Sequence, residues 1–417
     1  MRNFVASATS FSVGNGLASI ATYLLFLVFA YHSLPEVLGI FSLYAAITGI
    51  VVTAFDTITC QRVVQEEHLA QHSIEAAAGT VASFALTRHL MMAVIGFLLA
   101  FTNLIVTHDL LLTGTLLLFV LGQGVYAITN STRSLGITSG LFVRSQAAFT
   151  LSSLLTATVF ALLVDLGTSS EMLAAMGISR LVPGVAVVAL DSRAKENREI
   201  YIRRFFKILF GKGQRASTSS LALLQLANAA SGQADTLIAA VGGVQFAGRY
   251  QIAQRPMMAL TIINISISQI SLRQMIGSKS KLAPRHLLFF AVVISLWPTI
   301  GWLTSNFINL VSPPKFEVQA LVFILLGAAY GVDAIASVTG PLLLLDGQER
   351  GMAIGGFLQL FVLLTLGLML VSHFSLLGVA IAVLCAKGSV VVVHLTLLAR
   401  KRKNRGQTST AVQSGSF

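Results

Sequence analysis

The sequence predicts an all-α polytopic membrane protein. About twelve transmembrane helices are expected in two six-helix parallel-repeat bundles, with the N and C termini cytoplasmic. Three observations carry this. The 417 residues are 55% hydrophobic and only 11% charged, less than half the roughly 25% of an ordinary soluble domain. Mean hydropathy is +0.81, and long apolar runs recur from Val5 to Leu398. The remaining charge is lopsided, with 28 Lys plus Arg against 16 Asp plus Glu.

A helix needs about 20 mostly apolar residues to cross the hydrocarbon. That ruler places spans at 7–31, 37–57, 82–106, 110–130, 141–164 and 171–190. A second series follows at 216–241, 249–271, 286–310, 317–343, 352–371 and 376–397. Gly is frequent, at 34 residues, as close helix packing in lipid favours. The short alternating segments of a membrane barrel do not occur. The first stretch reads as an uncleaved span, because Gly14-Asn15-Gly16 interrupts it and no small-residue cleavage site stands out. Cys60 and Cys385 are the only cysteines, so no disulfide framework is expected.

With the amino terminus inside, 23 of the 28 basic residues fall in cytoplasmic segments. The reverse topology would put them outside, against the positive-inside rule. Most of the +12 net charge is therefore an orientation signal, and no nucleic-acid partner is expected.

The basic stretch near the midpoint divides the chain. The expected organisation is an N-terminal six-helix lobe over 1–190, a basic amphipathic cytoplasmic linker over 191–215, a C-terminal six-helix lobe over 216–398 and a disordered basic tail over 399–417. An offset of 209 superposes the spans of the two lobes and aligns Gly39-Ile40-Phe41 with Gly248-Arg249-Tyr250. Parallel repeats of this kind hold substrate between the halves and alternate access by rocking. In the linker, Tyr201, Phe205, Ile208 and Leu209 share a helical face among Arg198, Arg203, Arg204 and Lys207. Two readings stand there: an interfacial helix among anionic headgroups of the membrane lipids, or an orientation anchor alone.

Several chemistries are excluded. Gly211-Lys212-Gly213 lacks the spacing and the Ser or Thr of a phosphate-binding loop. His68, His72 and Glu75 make only a weak metal pattern. No external connection is long enough for a membrane polysaccharide polymerase, so the chain is read as a non-enzyme without a cofactor or bound metal.

Ionisable residues inside spans are costly and are functional candidates by default. The cations are Arg180, Arg255 and Lys387, with Arg88 shallow in the third span and Arg249 near the external mouth. The anions are Asp235, Asp333 and, near the inner end of the second span, Asp56. For each the alternative is snorkelling or an internal ion pair, such as Asp235 with Arg255. Pro183, Pro256, Pro298 and Pro341 interrupt four spans and permit bends, either static or hinged.

At several turns the chain resembles a known family. The segments are Pro35-Glu36-Val37-Leu38-Gly39-Ile40-Phe41, Gln233-Ala234-Asp235 with Gly242-Gly243 and Gly248-Arg249-Tyr250-Gln251-Ile252-Ala253, and Leu342 to Leu345 with Asp346-Gly347-Gln348-Glu349-Arg350. They resemble the polysaccharide (O-antigen type) flippases of the multidrug/oligosaccharidyl-lipid/polysaccharide superfamily. The resemblance implies a bacterial inner-membrane flippase that moves undecaprenyl-diphosphate-linked oligosaccharide to the periplasmic leaflet. It implies a cationic lumen, with Arg180, Lys387, Arg255, Arg88 and Arg249 toward the substrate. It further implies coupling to H+ or Na+ through Asp235, Asp333 or Asp56, and partnership with a polysaccharide polymerase and a chain-length regulator. A cation-coupled multidrug extruder of the same superfamily is the alternative; such a protein would want an acidic cavity, whereas this one reads as basic.

Overall fold

A computed structural model of the chain describes residues 23–69, 93–134, 141–164, 166–190, 215–277, 284–345 and 348–414. Among the described residues every regular element is helical. The first half holds α1 (Tyr23–His32) and α3 (Ala93–Thr107), with α2 (Pro35–Leu69), α4 (Leu110–Ser134), α5 (Leu141–Leu163) and α6 (Ser169–Leu190). The second half holds α7 (Arg215–Val241), α8 (Val244–Gly277), α9 (Pro284–Val311), α10 (Ala320–Leu345) and α11 (Glu349–Ser414). A 3-10 turn, Pro314–Phe316, precedes α10. Ser375, at φ 51 and ψ −129, breaks α11 into two arms, where the sequence places the gap between its last two spans.

The turns follow local chemistry. Asp109 Oδ1 accepts the Leu112 N–H at 2.9 Å and caps α4. Thr168 and Glu171 form a reciprocal capping box at α6, with contacts of 2.7 and 3.3 Å. Pro35 occupies the first position of α2, where its missing N–H is harmless. The α7–α8 turn needs Gly243, whose φ is +143, a conformation open only to glycine at low cost.

Three expectations fall wholly or largely outside the described residues, and the last helix runs past its expected span. The linker over 191–214 and the first span's residues before 23 lie outside the described residues, as does the His68, His72 and Glu75 side-chain pattern. The tail expected to be disordered from 399 continues α11 helically to Ser414; Arg, Lys and Gln are good helix formers once a helix leads into them.

Packing pairs equivalent helices in the two halves. α4 lies along α6, and α10 lies along the second half's α8, α9 and α11. α2 crosses to the other half and packs on both α7 and α8. That crossing depends on two glycines. A Cβ on Gly39 would sit 2.0 Å from the Val244 carbonyl oxygen, and one on Gly248 would sit 2.2 Å from the Pro35 carbonyl oxygen. Gly39 and Gly248 are 209 apart, and so are Pro35 and Val244. Each half therefore offers the other the same contact, as a pseudo-twofold axis running between α2 and α8 requires. At the same end Tyr31 on α1 donates to the Val311 carbonyl on α9. The outward surfaces carry bare apolar side chains such as Val106, Leu162, Leu163 and Leu310, each more than 70% exposed, as a lipid-facing surface does.

Candidate functional site

The second half buries a carboxylate. Asp235 on α7 is 4% exposed and accepts three short hydrogen bonds besides a longer one of 3.5 Å from the Thr236 hydroxyl. Tyr250 OH donates to Oδ2 at 2.9 Å, Gln254 Nε2 to Oδ2 at 2.6 Å, and the Thr236 N–H to Oδ1 at 2.7 Å. Charge-assisted bonds of this kind are what keep a buried anion from being intolerably costly. From there the bonds continue along α8. Gln251 Nε2 donates to Gln254 Oε1 at 2.8 Å and to Thr236 Oγ1 at 2.6 Å. Arg255 Nε donates to Gln251 Oε1 at 2.8 Å. Asp235 and Arg255 are thus joined through two amides rather than by the direct ion pair the sequence allowed.

Arg255 ends on the other half of the molecule. Its guanidinium carbon lies 4.4 Å from the centre of the Phe26 ring on α1, a cation–π distance. Phe26 is itself packed on Phe41, with ring centres 5.4 Å apart.

Arg180 on α6 is the cation of the first half. It donates to Gln123 Oε1 on α4, and its guanidinium lies 4.9 Å from the centre of the Tyr126 ring. It borders a cavity of about 50 Å³ that Leu25, Phe149, Thr150 and Ser153 also line. The Thr150 and Ser153 hydroxyls are buried without a hydrogen-bond partner among the described residues. Thr48, Thr261, Ser305 and Ser312 share this state among the described residues, whereas the buried hydroxyls of Ser42 and Ser231 bond back to the preceding helical turn. Arg180 and Arg255 are near enough for their charges to interact across the halves. Neither has a carboxylate partner among the described residues.

Lys387 takes the alternative left open for each of these residues, an internal ion pair. Its Nζ lies 2.8 Å from Asp333 Oδ1, so this cation is neutralised inside the second half by the carboxylate also proposed for ion coupling. The repeat places both pairs alike: α4 to α6 carries Gln123 with Arg180, and α10 to α11 carries Asp333 with Lys387. Arg249 donates to the Lys315 carbonyl at 3.1 Å and braces the 3-10 turn. Arg88 lies outside the described residues. Asp56 lies within α2, and its side chain is outside what is described.

Sequence reasoning from ionisable residues alone missed Gln123, Thr150, Ser153, Thr236, Tyr250, Gln251 and Gln254. The available signal was the presence of two glutamines three apart, Gln251 and Gln254, beside Arg255 within a span.

No protein-family profile matches the chain, and no curated protein matches it. Its three-dimensional structure does find relatives. A multidrug resistance MATE family transporter of the MOP superfamily, in an outward-facing conformation, matches with TM-score 0.61 at 11% identity over 96% of each chain. The Vibrio cholerae MATE transporter VcmN in its bent form matches with TM-score 0.57 at 13% identity, over 96% of this chain and 99% of the other. A MATE transporter in complex with MaL6 matches with TM-score 0.55 at 13% identity over 97% of each. The chain therefore has the fold of the MATE transporters. Together with helical stretches such as Ala320–Gly340 and Arg350–Arg400, long and apolar enough to cross a membrane, this fold is that of an integral membrane protein.

Proposed function

We propose that this chain is an alternating-access exporter of a membrane-soluble amphiphile, without enzymatic activity of its own. The observation that carries the reading is the whole-chain likeness to MATE transporters. A pseudo-twofold contact at Gly39 and Gly248 supports it, because such an axis lets two similar halves rock against each other. The fold comparison favours a cation-coupled multidrug extruder, and that is the leading form of the proposal. H+ or Na+ acting at Asp235 is the coupling it would use.

A specific observation favours a second form, a flippase for undecaprenyl-diphosphate-linked oligosaccharide in a bacterial plasma membrane. Arg180 and Arg255 lie within electrostatic range of each other, and neither makes a direct carboxylate contact among the described residues. Two guanidiniums without a direct carboxylate contact suit a diphosphate, and the hydroxyls of Thr150 and Ser153, without a partner among the described residues, supply further donors beside Arg180. Lys387 contributes less here than the sequence suggested, since Asp333 holds it.

Vesicle assays separate the forms. Purified protein would be offered a lipophilic cationic dye in one assay and a short-chain prenyl-diphosphate saccharide in the other. The flippase form expects saccharide translocation to fall at least tenfold in Arg180→Gln, with dye movement absent throughout. Gradient-driven dye efflux that survives Arg180→Gln selects the extruder. Transport of neither probe would remove the exporter reading.

A further inference from the structure

We propose that Gln251 and Gln254 form a latch that ties the charge of Asp235 to the contact between the two halves, so that the empty carrier stays closed at the Pro35–Val244 end. Gln251 and Gln254 are positioning residues, and the proposal rests on the exporter reading above.

The chain of bonds has a direction. Gln254 can satisfy the carboxylate only with its Nε2 turned to Asp235. That leaves its Oε1 to accept from Gln251 Nε2, and so leaves Gln251 Oε1 to accept from Arg255. The anion at one end and the cation at the other fix both amide orientations, and each bond polarises the next. The cation end lies over Phe26 of the other half. The remaining charged or titratable neighbours are few. Asp235 interacts with Lys387 of α11 and with Tyr250 of α8, and Tyr330 of α10 stands near both Asp235 and Arg255. Arg255 also feels Arg180 of α6. From α2, Gly49 lies against Gln233, and no ionisable side chain described on that helix faces Asp235.

The repeat shows what was built in. Positions 26 and 41 in the first half correspond to 235 and 250 in the second, at the offset of 209. The first half has Phe on Phe; the second has Tyr on Asp. Arg255 bridges the apolar version of the pair to the polar one.

Either end can release this latch. A cation or proton at Asp235 removes the anion that orients the amides, and Arg255 is left with a weak hold on Phe26 against the repulsion of Arg180. An anionic group between Arg180 and Arg255 draws Arg255 away directly. With neither present the halves stay joined, and the empty, ion-free carrier does not cycle. That condition is what prevents futile leakage in an exchanger.

The test uses the full-length protein in zwitterionic vesicles, without cargo, with Cys60 and Cys385 replaced by Ala. Spin labels at Leu34→Cys and Leu310→Cys, both highly exposed positions, report the distance at this end. One arm titrates pH without sodium; the other titrates Na+ at fixed high pH. The parent should pass from a short to a long distance in at least one arm, and that arm names the cation. Asp235→Asn should remain long. Gln251→Met should also remain long and lose the response at least tenfold. Gln251→Glu, which offers Arg255 a carboxylate directly, should restore the short distance whatever the cation. A Gln251→Met protein that responds like the parent overturns the latch, as does a parent indifferent to both cations. A normal distance response in a protein that moves no cargo would instead count against the exporter reading alone.

Discussion

The two halves of this molecule share a helix plan and differ in what they place on it. At the contact of the first two helices, the N-terminal half packs Phe26 on Phe41 while the C-terminal half packs Tyr250 on Asp235. Between the fourth and sixth helices, the first half gives its cation an amide, Gln123 with Arg180; the second gives its cation a carboxylate, Asp333 with Lys387. The first half is thus aromatic at this contact and carries a cation, Arg180, without a carboxylate partner among the described residues. The second holds Lys387 against Asp333 and links Arg255 to Asp235 through two amides. A rocking carrier needs both a place for cargo and a place for the coupling ion. Here the two duties are divided by side chains laid on one repeated backbone.

The strongest way to break this contrast is to unbalance the neutralised pair. Asp333→Ala leaves Lys387 partly buried without its partner, and removal of one partner of a buried pair costs about 3–5 kcal/mol. Because each side chain retains roughly a fifth of its exposure, the lower end of that range is expected. The double variant Asp333→Leu, Lys387→Met should recover most of it. Thermal unfolding in detergent checks both, and a double variant no more stable than the single one contradicts the pairing.

Next in size is the pseudo-twofold contact. Gly39→Ala and Gly248→Ala each place a Cβ against a backbone carbonyl, and overpacking of this kind typically costs about 1–3 kcal/mol. The two variants should lose similar stability and both should lengthen the Leu34–Leu310 label distance. A large effect at one glycine alone would show that the axis is not shared equally.

The aromatic side of the contrast is sharpened by Phe26→Leu. It keeps an apolar contact but removes the ring under Arg255, and a cation–π contact is worth about 0.5–2 kcal/mol. The label distance should lengthen even with Asp235 ionised, while Phe29→Leu, away from Arg255, should leave it unchanged. The smallest expected effect is at the capping box. Thr168→Ala removes a hydroxyl cap worth about 1 kcal/mol at α6 and should leave the label distance untouched.

The span limits were legible because hydrocarbon thickness sets a length that apolar runs must meet. The sequence places spans at 110–130, 141–164 and 286–310, and the helices are Leu110–Ser134, Leu141–Leu163 and Pro284–Val311. The 209-residue offset was legible too, and its aligned glycines turned out to lie at the crossing itself. The partners were not. Asp333 and Lys387 are 54 residues apart, and nothing in either span marks one for the other. Gln251 and Gln254 carry no charge, so an inventory of ionisable residues passes over them. Phe26 reads as ordinary core until Arg255, from the other half, is found on its face.

By itself, the sequence determined that this chain is helical, membrane-embedded and doubled, since composition, run length and repeat spacing answer directly to the bilayer and to the pitch of a helix. Only the tertiary structure decided which charges are spent on one another and which remain available. Neutralisation depends on side chains meeting within a few ångströms. Those meetings are made by helix crossings between segments that stand far apart in the chain.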